Sequence, residues 1–304
     1  MAALINILLP VFIVAGISAF AYHKLEFDIG TLSKAAFYIF SPALVLDSLV
    51  NSDVSGEEFG WIALAVIATM MLLWGLGEGI ARLLALSSDT RAAFLVSITS
   101  PNSANYGLPV VLFALGQAGL ARAALYVTVN ALMRSSFGVY LSARGSIKSP
   151  FSALRRVFEV PVIYAAAIGV ILNLTGTPLP EPVIKAAHIL GQGLVPASLV
   201  VLGSQIVVTF RERKQVTQKP ALATAVFLRL VAAPLIAVLV CRLIGLEGLS
   251  EKVVILETAT PTAVMSLVLA TEFKTDVPFA ALSILLTTLV SFATVAIWLN
   301  FYIM

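Results

Sequence analysis

Apolar stretches of roughly 20 residues recur along the whole chain, the length of a helix crossing a bilayer core, and short charged or turn-rich segments part them. Cutting the chain at those segments predicts ten spans, near residues 3–22, 29–49, 59–85, 91–115, 118–143, 159–175, 181–208, 220–244, 251–271 and 277–302. The first stretch has no basic residue before it and no small-residue cleavage site, so it is expected to be a retained span. The longest connectors, 143–159 and 209–220, are basic, and the first is suited to lie along the membrane as a short amphipathic helix.

Two kinds of internal order run through this pattern. SKAAFYIFSPALVL in span two and IKAAHILGQGLVPASLVVL in span seven both begin with Lys-Ala-Ala and carry Pro-Ala further in. TRAAFLVSITSPNS in span four and SEKVVILETATPTA in span nine both place a hydroxyl–proline pair after a basic residue. Each pair lies five spans apart, and an odd offset turns the second half upside down, as in inverted-repeat carriers. The repeats are expected near 1–143 and 159–304. The second kind of order is interruption. Pro10, Pro42, Pro161, Pro196 and Pro234 read as ordinary kinks, but SPNSANYGLP, residues 100–109, discourages a helix over more than two turns. Pro261 lies among Thr258, Thr260 and Thr262, whose hydroxyls can supply local partners.

Interrupted backbone at membrane depth must be covered by protein or line a watery cavity, because lipid offers no hydrogen bonds. If spans four and nine break at Pro101 and Pro261 and cross, two half-helix N-termini meet near the membrane centre and suit an anion.

Composition agrees with the spans. Of 304 residues 60% are hydrophobic and 12% charged, with net charge +3, and the mean hydropathy is +1.01. Such a chain is an integral membrane protein. If the spans alternate, thirteen of the nineteen Lys and Arg residues fall on one side and four (Arg122, Lys185, Arg242 and Lys252) on the other, with Arg134 and Arg229 inside spans. Basic loops are cytoplasmic, so both termini are expected outside the cytoplasm, in a multi-pass protein of the cytoplasmic (inner) membrane. Enzyme motifs are missing: His23 and His188 form no HExxH, and no P-loop or Gly-x-Ser-x-Gly occurs. Cys241 is the only cysteine and reads as a small buried residue. No cofactor, metal or nucleic acid is expected.

PNSANYGLP, ATPTAVMSLVLATEFKTD and KAAFYIFSPALVL resemble the auxin efflux carrier family over nearly the whole chain. The missing long central loop points to its bacterial branch of organic-acid carriers. The resemblance implies an all-α membrane protein of ten transmembrane helices in a five-plus-five inverted repeat, with helices four and nine crossed and broken. That is the architecture of bile-acid symporters and NhaA-type antiporters. It implies a scaffold near 3–49 and 159–208, often a homodimer through those helices, and a mobile part near 59–143 and 220–302. It also places Asn102 opposite a substrate carboxylate and Asn130 near the crossing.

Tyr126, Asn130 and Arg134 share one helix face by their spacing. Arg134 reads either as a structural partner of a carboxylate or free carbonyls, or as the counter-charge of an anionic substrate. Substrate-binding candidates are therefore Asn102, Asn105, Tyr106, Asn130, Arg134 and Thr262, with Pro101 and Pro261 at the crossover. Glu257, four residues before Pro261, is the candidate for ion coupling, unless a salt bridge to Arg134 occupies it. Glu78 and Asp47 are expected to reach water near opposite ends of their spans. Ser283, Thr287 and Ser291 form a hydroxyl stripe read first as close helix packing. The expected cargo is a small carboxylate such as malonate or malate, with auxin-like aromatic acids open, and the coupling ion a proton first and sodium second.

Overall fold

The computed structural model describes residues 2–50, 52–143, 160–212 and 218–303. Among them every regular element is helical, and the only β-type contact is an isolated antiparallel bridge between Pro101 and Thr262. The connector read as an amphipathic helix, 143–159, lies outside the described residues apart from its first residue, as do Arg213 and Lys214 of the other basic connector.

In chain order the helices are α1 (Ala2–Leu25), α2 (Ile29–Val50), α3 (Gly56–Leu83), α4 (Ser88–Thr99) and α5 (Ser103–Ser142). They continue with α6 (Pro161–Thr175), α7 (Glu181–Arg211), α8 (Lys219–Ile244), α9 (Gly248–Thr258), α10 (Met265–Glu272) and α11 (Val277–Ile303). Seven of these are long and apolar enough to cross a membrane. α6 is shorter, and the two intervals expected to be broken each hold two segments, α4 with the start of α5 and α9 with α10.

Starts follow capping chemistry. Side chains of Asp28, Ser55, Ser87 and Asp276 accept from backbone amides two or three residues on, satisfying donors the first turn leaves free. α5 is 40 residues long, about 60 Å at 1.5 Å per residue, twice what a bilayer needs. Gly116 divides it, with φ 67° and ψ −162°, a conformation only glycine adopts without strain. The chain thus makes a half-helix before Gly116 and a full span after it. Three π-type turns, Ala36–Phe40, Ser103–Gly107 and Leu228–Ala232, each end two residues before a proline: Pro42, Pro109 and Pro234. A wider turn there accommodates the missing donor and the ring.

The helices form two groups that pack against each other. α1 lies along α7, with Ser18 Oγ donating to the Val200 carbonyl at 2.6 Å and facing Ser204 Oγ at 3.1 Å. α2 lies along α6 and the start of α7, and Asn173 Nδ2 donates to the Leu49 and Ser52 carbonyls. The second group joins α3, α4, α5, α8, α9, α10 and α11. On one end of that group Arg122 on α5, itself buried, donates to Glu58 at 2.7 Å, Asp53 at 3.1 Å and Ser250 at 3.1 Å.

Of the two acids expected to reach water, Glu78 is instead buried and paired, while Asp47 is paired at an exposed site. Glu78 is buried and takes Arg82 and Arg91 as partners, because α4 folds back on the end of α3 and brings Arg91 to it. Asp47 accepts from His188 Nδ1 at 2.9 Å, joining α2 to α7, and Gln192 holds the other ring nitrogen at 2.7 Å.

Candidate functional site

α4 stops at Thr99 and passes into extended backbone at Ser100, α9 stops at Thr258 and turns through Ala259, and Pro101 and Thr262 then form an antiparallel bridge. Asn102 N–H donates to the Pro261 carbonyl at 2.7 Å and Ala263 N–H to the Ser100 carbonyl at 2.8 Å, so the two breaks touch and run antiparallel. Both prolines are buried there, at the heart of the fold.

Each interrupted helix leaves carbonyls without intrahelical donors, and these must be satisfied once buried. The neighbours do so. Thr262 Oγ1 donates to the Ser97 carbonyl at 2.9 Å, and Asn130 Nδ2 to Ser103 Oγ at 2.8 Å and to the Pro101 carbonyl at 3.5 Å. Thr260 Oγ1 donates to the Glu257 carbonyl at 2.7 Å. Thr287 on α11 accepts from Thr262 N–H at 3.0 Å, so one member of that helix's hydroxyl stripe braces the crossing. Arg229 on α8, 1% exposed, donates to the Ile98 carbonyl at 2.7 Å and to the Thr258 carbonyl.

Past the breaks the polarity reverses. α5 and α10 begin at Ser103 and Met265, and the earliest amides of a helix have no intrahelical acceptor; in α10 the Ser266 and Leu267 N–H groups already turn back on the Ala263 and Val264 carbonyls. Ala104, Asn105, Val264 and Met265 from these two starts line one cavity of about 660 Å³. Asn102 also lines it, is 4% exposed, and its Nδ2 has no partner. Arg134 lines the same cavity and makes no ion pair among the described residues, so its charge is available there.

The opposite wall comes from α1, α2, the connector between them and α7: Tyr22, Phe27, Phe37, Ser41, Gln205 and Thr209. Gln205 Oε1 is buried there without a partner. At the rim, Glu26 is neutralised by Arg211 at 2.7 Å. Asp28 stays charged, since hydrogen bonds from the Thr31 hydroxyl and Gly30 N–H hold its carboxyl below the usual range.

Of the six substrate-binding candidates, Asn102, Asn105 and Arg134 meet at the cavity. Asn130 and Thr262 donate within the crossing, Asn130 to the Ser103 hydroxyl and the Pro101 carbonyl and Thr262 to the Ser97 carbonyl. Tyr106 is fully buried, turned toward Ser291 of α11. Glu257 lies in α9 at 0% exposure with neither carboxyl oxygen hydrogen-bonded, packed on the backbone of Gly107, and no bridge joins it to Arg134. Tyr126, on the same face of α5 as Asn130, meets Thr258 Oγ1 at 3.0 Å. Sequence reasoning left two residues unassigned, Gln205 and Arg229. For Arg229 the signal was present, an arginine within an apolar span, but it was the same signal that Arg134 carried.

A family model described as Membrane transport protein matches residues 4–299. An uncharacterized transporter of Methanothermobacter thermautotrophicus is 29% identical over 278 residues, 90% of this chain and 89% of its own. A second uncharacterized transporter, from Methanocaldococcus jannaschii, is 25% identical over 284 residues, 88% of this chain and 87% of its own.

Proposed function

Since the chain belongs to the membrane transport protein family, that of the auxin efflux carriers, we propose that it is a secondary carrier of small organic anions, carboxylates such as malonate or malate. In this reading ten spans form a five-plus-five inverted repeat, with α1, α2, α6 and α7 as scaffold and the other helices as the moving unit of an elevator. The observation that carries the reading is the chemistry of one cavity wall: an unpartnered Asn102 amide, an Arg134 with no ion pair among the described residues and the starts of two half-helices, all offering donors or positive charge. An anion bound there touches the moving unit on one side and the scaffold on the other, so a shift of one against the other carries it.

The rim holds Glu26 and Asp28, in the connector that the positive-inside rule assigns to the cytoplasm, so this conformation reads as open inward. Glu257 is the proposed proton carrier: a buried carboxyl without a partner tolerates burial as the neutral acid. Sodium coupling is the alternative.

A second substrate reading has its own observation. Tyr22, Phe27 and Phe37 give the scaffold wall an aromatic surface, and 660 Å³ holds more than a three-carbon acid, which favours an auxin-like aromatic carboxylate.

Thermal unfolding of the purified protein against a panel of carboxylates tests the assignment, because a ligand bound to the folded state raises the melting temperature. Small dicarboxylates are expected to give the largest rise. A rise confined to aromatic acids selects the second substrate, and no rise with any acid refutes the anion site.

A further inference from the structure

One side chain serves equivalent atoms in the two interrupted helices. Ile98 lies three residues before Pro101, and Thr258 three residues before Pro261. In an unbroken helix each carbonyl would accept from the N–H four residues on, which belongs to Asn102 and Thr262 respectively. Both donors are diverted. Asn102 N–H goes to the Pro261 carbonyl at 2.7 Å, and Thr262 N–H to Thr287 Oγ1 at 3.0 Å. The two arms of Arg229 take their places, Nη1 on Ile98 at 2.7 Å and Nη2 on Thr258.

We propose that Arg229 is the positioning residue of the anion site, a shared C-terminal cap that ties α4 to α9 and so keeps the starts of α5 and α10 aimed into one cavity. The electrostatics require a cation at this place. Helix C-termini carry partial negative charge, and here two of them converge in a buried region. Positive charge between them offsets their repulsion and leaves the electropositive starts of α5 and α10 to set the field in the cavity. Geometry requires arginine in particular. A guanidinium presents donors in a rigid planar fork and fixes the separation of two carbonyls, whereas an ammonium is a point charge on a flexible stem. Arg229 sits in the π-type turn Leu228–Ala232 of α8, a helix that belongs to neither interrupted pair, so the cap comes from outside the crossing.

The inference rests on reading the crossing as the anion site, and Arg229→Lys tests it because the charge stays while the fork is lost. Purified in detergent and reconstituted, the variant is expected to raise KM for malonate by about tenfold, the equivalent of 1.4 kcal/mol, with a smaller change in Vmax. A wild-type KM in a folded Arg229→Lys carrier overturns the proposal, and so does a loss of Vmax alone, which packing damage would give. If the variant does not purify, hydrogen exchange on the unmutated protein decides. The amides of 100 and 259, which close the last turns of α4 and α9 and do not bond across the crossing, are expected to open as one cooperative unit, and two independent exchange rates overturn the shared cap. This last measurement needs no ligand, so it separates failure of the cap from failure of the anion reading, which shows as unmutated protein that malonate does not stabilise.

Discussion

Asn102→Ala and Asn130→Ala should have opposite effects, although both remove an asparagine amide close to the same proline. Among the described residues the Asn102 side chain makes no hydrogen bond, and its Nδ2 is buried without a partner. What holds the crossing is its backbone, N–H to Pro261 and carbonyl from Tyr106 and Gly107, which alanine keeps. Removing the amide therefore costs folding little and relieves an unmet donor. The loss falls on the bound anion instead: a hydrogen bond to a charged group contributes about 1.5–3 kcal/mol, so affinity is expected to drop about 10- to 150-fold at 1.4 kcal/mol per decade. Asn130 is the reverse case. Its Nδ2 serves Ser103 Oγ and the Pro101 carbonyl, and alanine leaves these buried acceptors short of a donor, at a cost of about 1–3 kcal/mol to the fold. Melting curves in detergent with and without malonate read both effects at once. Asn102→Ala should keep the melting temperature of the apo protein and lose the malonate-induced rise. Asn130→Ala should melt lower and keep a rise in whatever fraction is folded. An Asn102→Ala protein that melts lower yet binds malonate as well as wild type would refute the division of labour.

Three further outcomes follow from single contacts. Glu257→Gln keeps the shape of a buried side chain that has no partner to lose, so it should fold at least as well and transport without response to an imposed pH gradient; an undiminished response moves coupling elsewhere. Gly107→Ala places a methyl group 2.6 Å from Glu257 Cδ, an overpacking cost of about 1–3 kcal/mol, and should lower both melting temperature and uptake; a wild-type melting curve would mean the two segments are not in contact. Asp53 is held below the usual carboxylate range by the hydrogen bond and charge of Arg122. A depressed folded value gives stability that is present above the unfolded carboxylate range and is lost as pH falls through the depressed value. Wild type should thus melt above Asp53→Asn at neutral pH and converge with it in acid, and a gap that stays constant with pH would show that the pair does not act through charge.

Much of the fold is legible in the sequence because two signals are local. Apolar length marks the long spans, and Pro-Asn followed by Gly and Pro marks backbone that cannot continue a helix, which is where α4 stops and α5 begins. The 3.6-residue spacing likewise puts Tyr126 and Asn130 on the side of α5 that meets the breaks. What the sequence does not carry is which partner a polar group finds across the fold. Arg134 and Arg229 look alike as arginines within apolar spans, yet one faces a cavity and the other caps two helix ends. Glu78 looked free to reach water until α4 brought Arg91 over it. Thr262 and Asn130 were polar groups beside the break, and whether they face cargo or backbone depends on how closely the two segments approach, a distance no spacing rule contains.

The central claim, that the crossed breaks bind an organic anion and carry it, is tested most directly by counterflow. Proteoliposomes loaded with labelled malonate are diluted into buffer with or without unlabelled malonate outside. A carrier with one alternating site is expected to release the label faster when the outside acid is present, and to lose that acceleration with Asn102→Ala. Exit that is indifferent to outside acid, or acceleration that survives Asn102→Ala unchanged, would contradict it.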